Sequence, residues 1–321
     1  MTDTSPKPAA LSTPGLRLDS GRRAARWRNA AGWRKWGSAL KPYLYVLPIT
    51  LLLSVFTIFP ILRTVFLSFT DTDAVISYLN FAGVRHYLEM VSSSVFWTIV
   101  FNTVLYSVVT VSVSVVIGFL CAVAANSKRT RLGGLFKVSM FYPYILPWTV
   151  AAMVWIYLYN PTRGVINHLL NTRIDWLNSY QFALWALMLV YIWKVAGFNF
   201  LLFLSGLQTI PEELYEAASL ETRSHFQVLR YITVPLISPT TFVTILLAVV
   251  QSFQSVDLVY IMTSGRPGNA TNVMIYSIYQ EGIINWNVGY ASALSTVLFL
   301  MLLVFTLLYL KMGERGVSYE R

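Results

Sequence analysis

Six long apolar runs constrain this chain more than any other feature of its sequence. They extend from Tyr43 to Leu62, Trp97 to Ala125, Leu132 to Leu158, Ala183 to Leu207, Ile232 to Ile261 and Val288 to Leu310. A helix needs about 20 apolar residues to cross a bilayer, and inside hydrocarbon every backbone N–H and C=O must find its partner within the segment. Each run is long enough, so each predicts one transmembrane helix. Only 12% of the residues are charged, against roughly 25% in soluble domains. The expected fold class is an all-α integral membrane protein with six transmembrane helices, a permease-like domain over residues 43–321 preceded by a basic tail over residues 1–42.

Lys and Arg orient the spans. The tail before Tyr43 carries Lys7, Arg17, Arg22, Arg23, Arg26, Arg28, Arg34, Lys35 and Lys41. Lys128, Arg129, Arg131, Arg223, Arg230, Lys311, Arg315 and Arg321 fall in the second and fourth connections and at the carboxyl end. The opposite loops hold only Arg63, Arg85, Arg163, Arg173 and Arg266. By the positive-inside rule both termini are cytoplasmic, and so is the loop around Glu216. The net charge of +10 does not point to nucleic acid: it is concentrated beside a span and interleaved with Trp27, Trp33 and Trp36, which suits anionic lipid headgroups. Met1 to Ser20, rich in Pro, Ser, Thr and Ala, reads as disordered.

Several function classes lack their residues. The chain has no GxxxxGK[ST] phosphate loop. His86, His168 and His225 are scattered, with no metal-ligand spacing, and Cys121 is the one cysteine. No catalytic constellation and no metal site present themselves, so any ATP and magnesium would be bound by another subunit. An ion-coupled secondary transporter would need buried carboxylates, and the spans offer only Asp257, near one end.

The loop over residues 209–231 is polar and helix-forming. Thr209 and Glu212 are spaced as a capping box with Pro211 in the first turn, and Ser224 and Gln227 repeat that spacing, predicting two short helices around a break. Within it, Glu216, Ala217 and Ala218, followed by Ile232 and Pro235, fall at the spacing of the EAA loop. The segment Trp193 to Ala218 and the blocks Ser255 to Thr271 and Gly289 to Met301 extend the likeness. In these residues the chain resembles the membrane permease subunits of bacterial ATP-driven importers of the carbohydrate-uptake, maltose type.

The resemblance implies a translocation pathway for a sugar or sugar-like solute in the bacterial inner membrane. A glycerol phosphate, polyol or oligosaccharide is an alternative substrate. It also implies a second, homologous permease subunit, two ATPase subunits that each grip a loop of the Glu216 type, and an external solute-binding protein. Thr222 departs from the family, which usually has Gly there. A left-handed residue at the turn would strain a β-branched side chain, so either the turn is made differently or the strain is tolerated.

Pathway candidates lie in three runs. Tyr144 and Trp148 flank Pro147 in the third, where Pro143 and Pro147 each remove a backbone donor; the region either bends around a pathway or is a static kink. Lys194 is the one basic residue deep in a span, about 16 Å along the fourth run. Such a charge is a ligand or is paired, through ions or carbonyls, at a subunit interface. Gly197 and Asn199 follow it, suited to close helix approach and a polar contact. In the fifth run Gln251, Ser252, Gln254, Ser255 and Asp257 form a polar cluster that either meets a sugar's hydroxyls or bonds between helices. Gly265, Pro267 and Gly268 mark a turn, which the resemblance implies is part of an external loop, with Arg266 in a place where the family often has Gly.

Overall fold

The computed structural model describes residues 45–71, 80–126, 133–222 and 224–316. The basic tail, with its tryptophans, and Lys128, Arg129, Arg131, Arg223 and Arg321 lie outside the described residues. The chain divides into two units, Met1–Leu62 and Arg63–Arg321. The described part of the first unit belongs to helix α1, Tyr45–Leu67, with a π-helical stretch at Ser54–Ile58. There the N–H of Phe59 reaches back to Ser54 O, and Pro60 follows. A proline removes one donor and crowds the carbonyl four residues earlier, and a wider turn just before it relieves the crowding.

After the end of α1, the second unit holds the only departure from an all-α fold among the described residues. It is a two-residue antiparallel ladder of β1 (Thr70–Asp71) with β2 (Asn80–Phe81). Then follow α2 (Arg85–Ser92), α3 (Ser94–Asn126), α4 (Gly133–Ile145), α5 (Trp148–Leu158), α6 (Val165–Leu170) and α7 (Ala183–Leu207). The polar loop forms α8 (Glu212–Glu221) and α9 (His225–Leu236). The chain continues through α10 (Ser238–Phe253), α11 (Val256–Met262), α12 (Met274–Tyr279), a π turn at Gln280–Ile284, and α13 (Val288–Gly316).

Two of the six predicted runs are not single helices. The third is broken at Leu146 and Pro147, where α4 and α5 meet at 99°. Pro147 has ψ 145°, far from helical, and lacks the N–H that would continue the ladder. The fifth bends by 71° between α9 and α10 at Ile237, with Pro239 in the first turn of α10, and breaks again at Gln254 and Ser255. α9 also widens into a π turn at Leu229–Thr233 just before Val234 and Pro235, as α1 does before Pro60. Among the described residues four helices are long and apolar enough to cross a membrane, or up to six if each bent pair is one span.

The α7 helix carries the centre of the second unit, and α3 lies along it. Phe200, Phe203 and Leu207 of α7 pack with Val111 and Val115 of α3, Ile237, and Leu294 of α13. Nearer the other end, Leu187 and Tyr191 pack with Tyr106, Ala152 and Leu258. Lipid tails are as apolar as leucine, so such helices associate through close packing and hydrogen bonds more than through water exclusion. The contact of α3 with α7 shows both: a Cβ on Gly118 would stand 2.7 Å from Asn199 Cβ, and Asn199 Nδ2 donates to Ser114 Oγ at 3.1 Å.

Candidate functional site

The loop after α7 is a hairpin of helices. Neither predicted capping box forms. Pro211 occupies the N-cap of α8, and the Thr209 hydroxyl donates back to Gly206 O at 2.8 Å. Ser224 holds the N-cap position of α9 without a side-chain bond. The break is instead organised by Thr222. Its backbone is extended, φ −145° and ψ 143°, so no left-handed residue is required and a β-branched side chain fits without strain. Its Oγ1 accepts the Ser224 N–H at 3.1 Å and donates to Gln227 Oε1. One hydroxyl thus ties both sides of the turn.

Glu216 and Ala217 are exposed on α8, whereas Ala218 is buried, so the helix turns one face inward and offers the other. Tyr215 Oη lies 3.4 Å from Thr233 Oγ1, bridging α8 to the π turn of α9. Between the hairpin and the ends of α3 and α7 is an open cavity of about 1430 Å³ whose walls include Asn126, Gln208, Glu216, Thr222 and Phe226. Ile232 is half-buried within the π turn and Pro235 is exposed just before the bend at Ile237.

The break in the third run meets α7. Lys194 is buried, and its Nζ donates to the carbonyls of Pro143 at 3.1 Å, Tyr144 at 3.0 Å and Leu146. The ammonium also stands over the rings of Tyr144, 5.7 Å away, and Trp148, 4.8 Å away. Both rings stack on α7: Tyr144 on Phe198 at 4.9 Å and Trp148 on Tyr191 at 5.6 Å between centroids. Gly197 makes the close approach possible, since a Cβ there would lie 2.3 Å from Met140 O. Asn199 is fully buried against α3.

The fifth-run cluster separates into two kinds of residue. Ser252 Oγ is 2.6 Å from Ser107 Oγ, a bond between α10 and α3. Ser255 is buried opposite Tyr106, although neither side-chain oxygen reaches bonding geometry. Gln251 is half-buried, while Gln254 and Asp257 are exposed at the break between α10 and α11. Arg266 is exposed in the turn that follows; its carbonyl accepts the Thr271 hydroxyl at 2.8 Å, and the Arg266–Pro267 peptide is cis. Gly265 and Gly268 both have positive φ, and a Cβ on Gly268 would collide with Tyr180 Oη.

Sequence reasoning missed three polar groups on α3. Asn102 Nδ2 donates to the carbonyls of Asn269 and Asn272, both at 3.0 Å, and Thr103 Oγ1 accepts the Met274 N–H at 2.8 Å. Tyr106 adds a buried phenol against Tyr191, with ring centroids 5.4 Å apart. These are polar residues within an apolar run, and each faces α7 or the chain after α11; the run's hydropathy gave no hint of the direction.

Comparison with known proteins agrees with this architecture. Residues 114–315 match the family described as binding-protein-dependent transport system inner membrane component. The chain is 32% identical over 287 residues to the trehalose/maltose transport system permease protein MalF of Thermococcus litoralis, covering 87% of this chain and 96% of that one. It is 32% identical to the sulfoquinovosyl glycerol transport system permease protein SmoG of Agrobacterium fabrum, over 87% and 93% of the two chains. It is 31% identical to the sn-glycerol-3-phosphate transport system permease protein UgpA of the same organism, over 87% and 96%. A chain of a bacterial ABC transporter involved in the import of the acidic polysaccharide alginate has the same fold, with a TM-score of 0.76 at 20% identity over 89% of this chain and 99% of that one. The chain belongs to the family of inner membrane components of binding-protein-dependent transport systems.

Proposed function

We propose that this subunit lines the translocation pathway for a sugar or sugar-like solute and takes its drive from a separate ATPase through the hairpin of α8 and α9. The observation that carries the reading is the hairpin itself: a short helix with Glu216 and Ala217 outward and Ala218 inward, joined through Thr222 to a second helix that runs directly into the bend at Ile237. A push on α8 is thereby transmitted to α10, which carries Gln251 and ends beside Gln254.

The working assembly would be this subunit, a second permease subunit, two ATPase subunits holding ATP and magnesium, and an external solute-binding protein. Both termini and the hairpin would face the cytoplasm, with the basic tail on anionic lipid. Relatives that carry trehalose or maltose, sulfoquinovosyl glycerol and glycerol phosphate support a polyhydroxylated solute, for which Gln251, Gln254, Tyr144, Trp148 and Asp257 are the candidate pathway residues.

The test is Glu216→Lys in the complex purified from its native membrane. Co-purification of an ATPase and a second permease, with uptake abolished while the variant still inserts, is the expected result. Normal uptake by the variant would remove Glu216 from the coupling role. A chain that purifies alone and supports no ATP hydrolysis, in a detergent proven on similar complexes, would remove the importer reading for this assembly.

A further inference from the structure

We infer that Lys194 is a positioning residue for the pathway: it pins the break between α4 and α5, and so sets where Tyr144 and Trp148 stand, without binding the solute itself. The inference rests on reading the chain as the pathway subunit of an importer.

The reason lies in the backbone of the third run. In an unbroken helix the carbonyl of Pro143 would accept the N–H of residue 147, but that residue is Pro147 and has none. The 99° bend then carries the following N–H groups away from the carbonyls of Tyr144 and Leu146. Carbonyls left open at membrane depth are costly, since no water is present to bond them. Lys194, about fifty residues later in the sequence, brings them three donors on one nitrogen.

That stoichiometry decides between the two roles open to a buried lysine. An ammonium has three N–H groups, and all three are directed at carbonyls, which leaves no donor for a solute anion. Its charge is met by three carbonyl dipoles and by the faces of Tyr144 and Trp148. Gly197, one turn further along the same face of α7, admits the Met140 carbonyl. The same face therefore grips the last turns of α4 at Met140 and the break itself at Pro143 to Leu146. Neither arm can swing without releasing charge-assisted bonds, which are about twice as strong as neutral ones.

The experiment uses the assembled complex with spin labels at Val138→Cys on α4 and Met153→Cys on α5, both exposed in this chain, in a Cys121→Ser background. Pulsed dipolar spectroscopy reads the distance between the arms, and uptake with solute-loaded binding protein reads transport. Lys194→Met is expected to broaden and lengthen the distance distribution and, with it, to lower the maximal uptake rate about tenfold or more. Lys194→Arg, which keeps a cation and its donors, should retain most of the native distribution. Where Lys194→Met fails to accumulate, adding Pro147→Ala should restore accumulation, because an alanine there lets the run continue as one helix and close the Pro143, Tyr144 and Leu146 carbonyls in its own ladder.

A native distance distribution in Lys194→Met would overturn the inference. So would an unchanged distribution with a raised KM, the signature of a ligand, or failure of the Pro147→Ala addition to rescue a variant that does not accumulate. The distances report on the pin even in a complex that imports none of the solutes offered, so loss of the importer reading and loss of the pin are told apart.

Discussion

The amide of Asn199 on α7 reaches Ser114 Oγ on α3 one helical turn from Gly118, whose absent side chain lets Asn199 stand against the α3 backbone. A polar bond and a small residue thus act at one crossing. The bond holds the pair in register only because the glycine lets the two helices close.

Gly118→Leu should break this crossing. The new Cβ would lie 2.7 Å from Asn199 Cβ and 2.8 Å from the Phe200 nitrogen, neither of which is the end of a flexible chain. Overpacking of this kind costs about 1–3 kcal/mol or more. The expected outcome is a lower unfolding temperature of the purified complex and reduced accumulation in the membrane; an unchanged melting curve would show that α3 and α7 can separate freely.

The Thr222 hydroxyl predicts an order among substitutions in the hairpin of α8 and α9. Thr222→Ser keeps the acceptor for Ser224 N–H and the donor for Gln227, and should transport normally. Thr222→Val keeps the shape and loses both bonds, about 1 kcal/mol each, so uptake should fall while insertion is unaffected. Thr222→Gly should also lose activity, since the extended backbone here gains nothing from glycine. Equal uptake by all three variants would mean that the hydroxyl has no part in holding the hairpin.

The fifth-run cluster offers a contrast between packing and pathway. Ser107→Ala and Ser252→Ala remove the two ends of one interhelical bond, and a double-mutant cycle on stability should give a coupling of about 0.6 kcal/mol. Alanine at both Gln251 and Gln254 should leave stability nearly constant and instead change the ATP hydrolysis stimulated by solute. If the serine pair altered solute selectivity and the glutamines altered only melting, the assignment would be reversed.

Tyr106 and Tyr191 hold buried phenol oxygens that lack a hydrogen-bond partner among the described residues. Removing an unbonded buried oxygen relieves its desolvation, so Tyr106→Phe and Tyr191→Phe should be neutral or stabilising in thermal unfolding. A drop in stability for either would reveal a bond formed in another state of the transport cycle, and a selective loss of uptake would place that bond with the solute.

The number and approximate position of the apolar runs came from composition alone, because a segment that must satisfy its own backbone in hydrocarbon has few options. The apolar run Ala183–Leu207 and the helix α7 share both ends. The helix pair around Thr222 was also legible, although the capping residues expected there do not cap, since the local pattern marks a break without saying which side chain closes it. The two prolines of the third run announced a weak point, and Lys194 announced a buried charge. That the charge serves the weak point was decided only by tertiary structure, because the pair lies about fifty residues apart and the bonds run to backbone carbonyls, which every residue has and no sequence pattern distinguishes. The same holds for the 99° angle at Pro147 and the 71° bend at Ile237: proline takes away a donor locally, but the direction in which the chain then turns depends on which neighbouring helix supplies another.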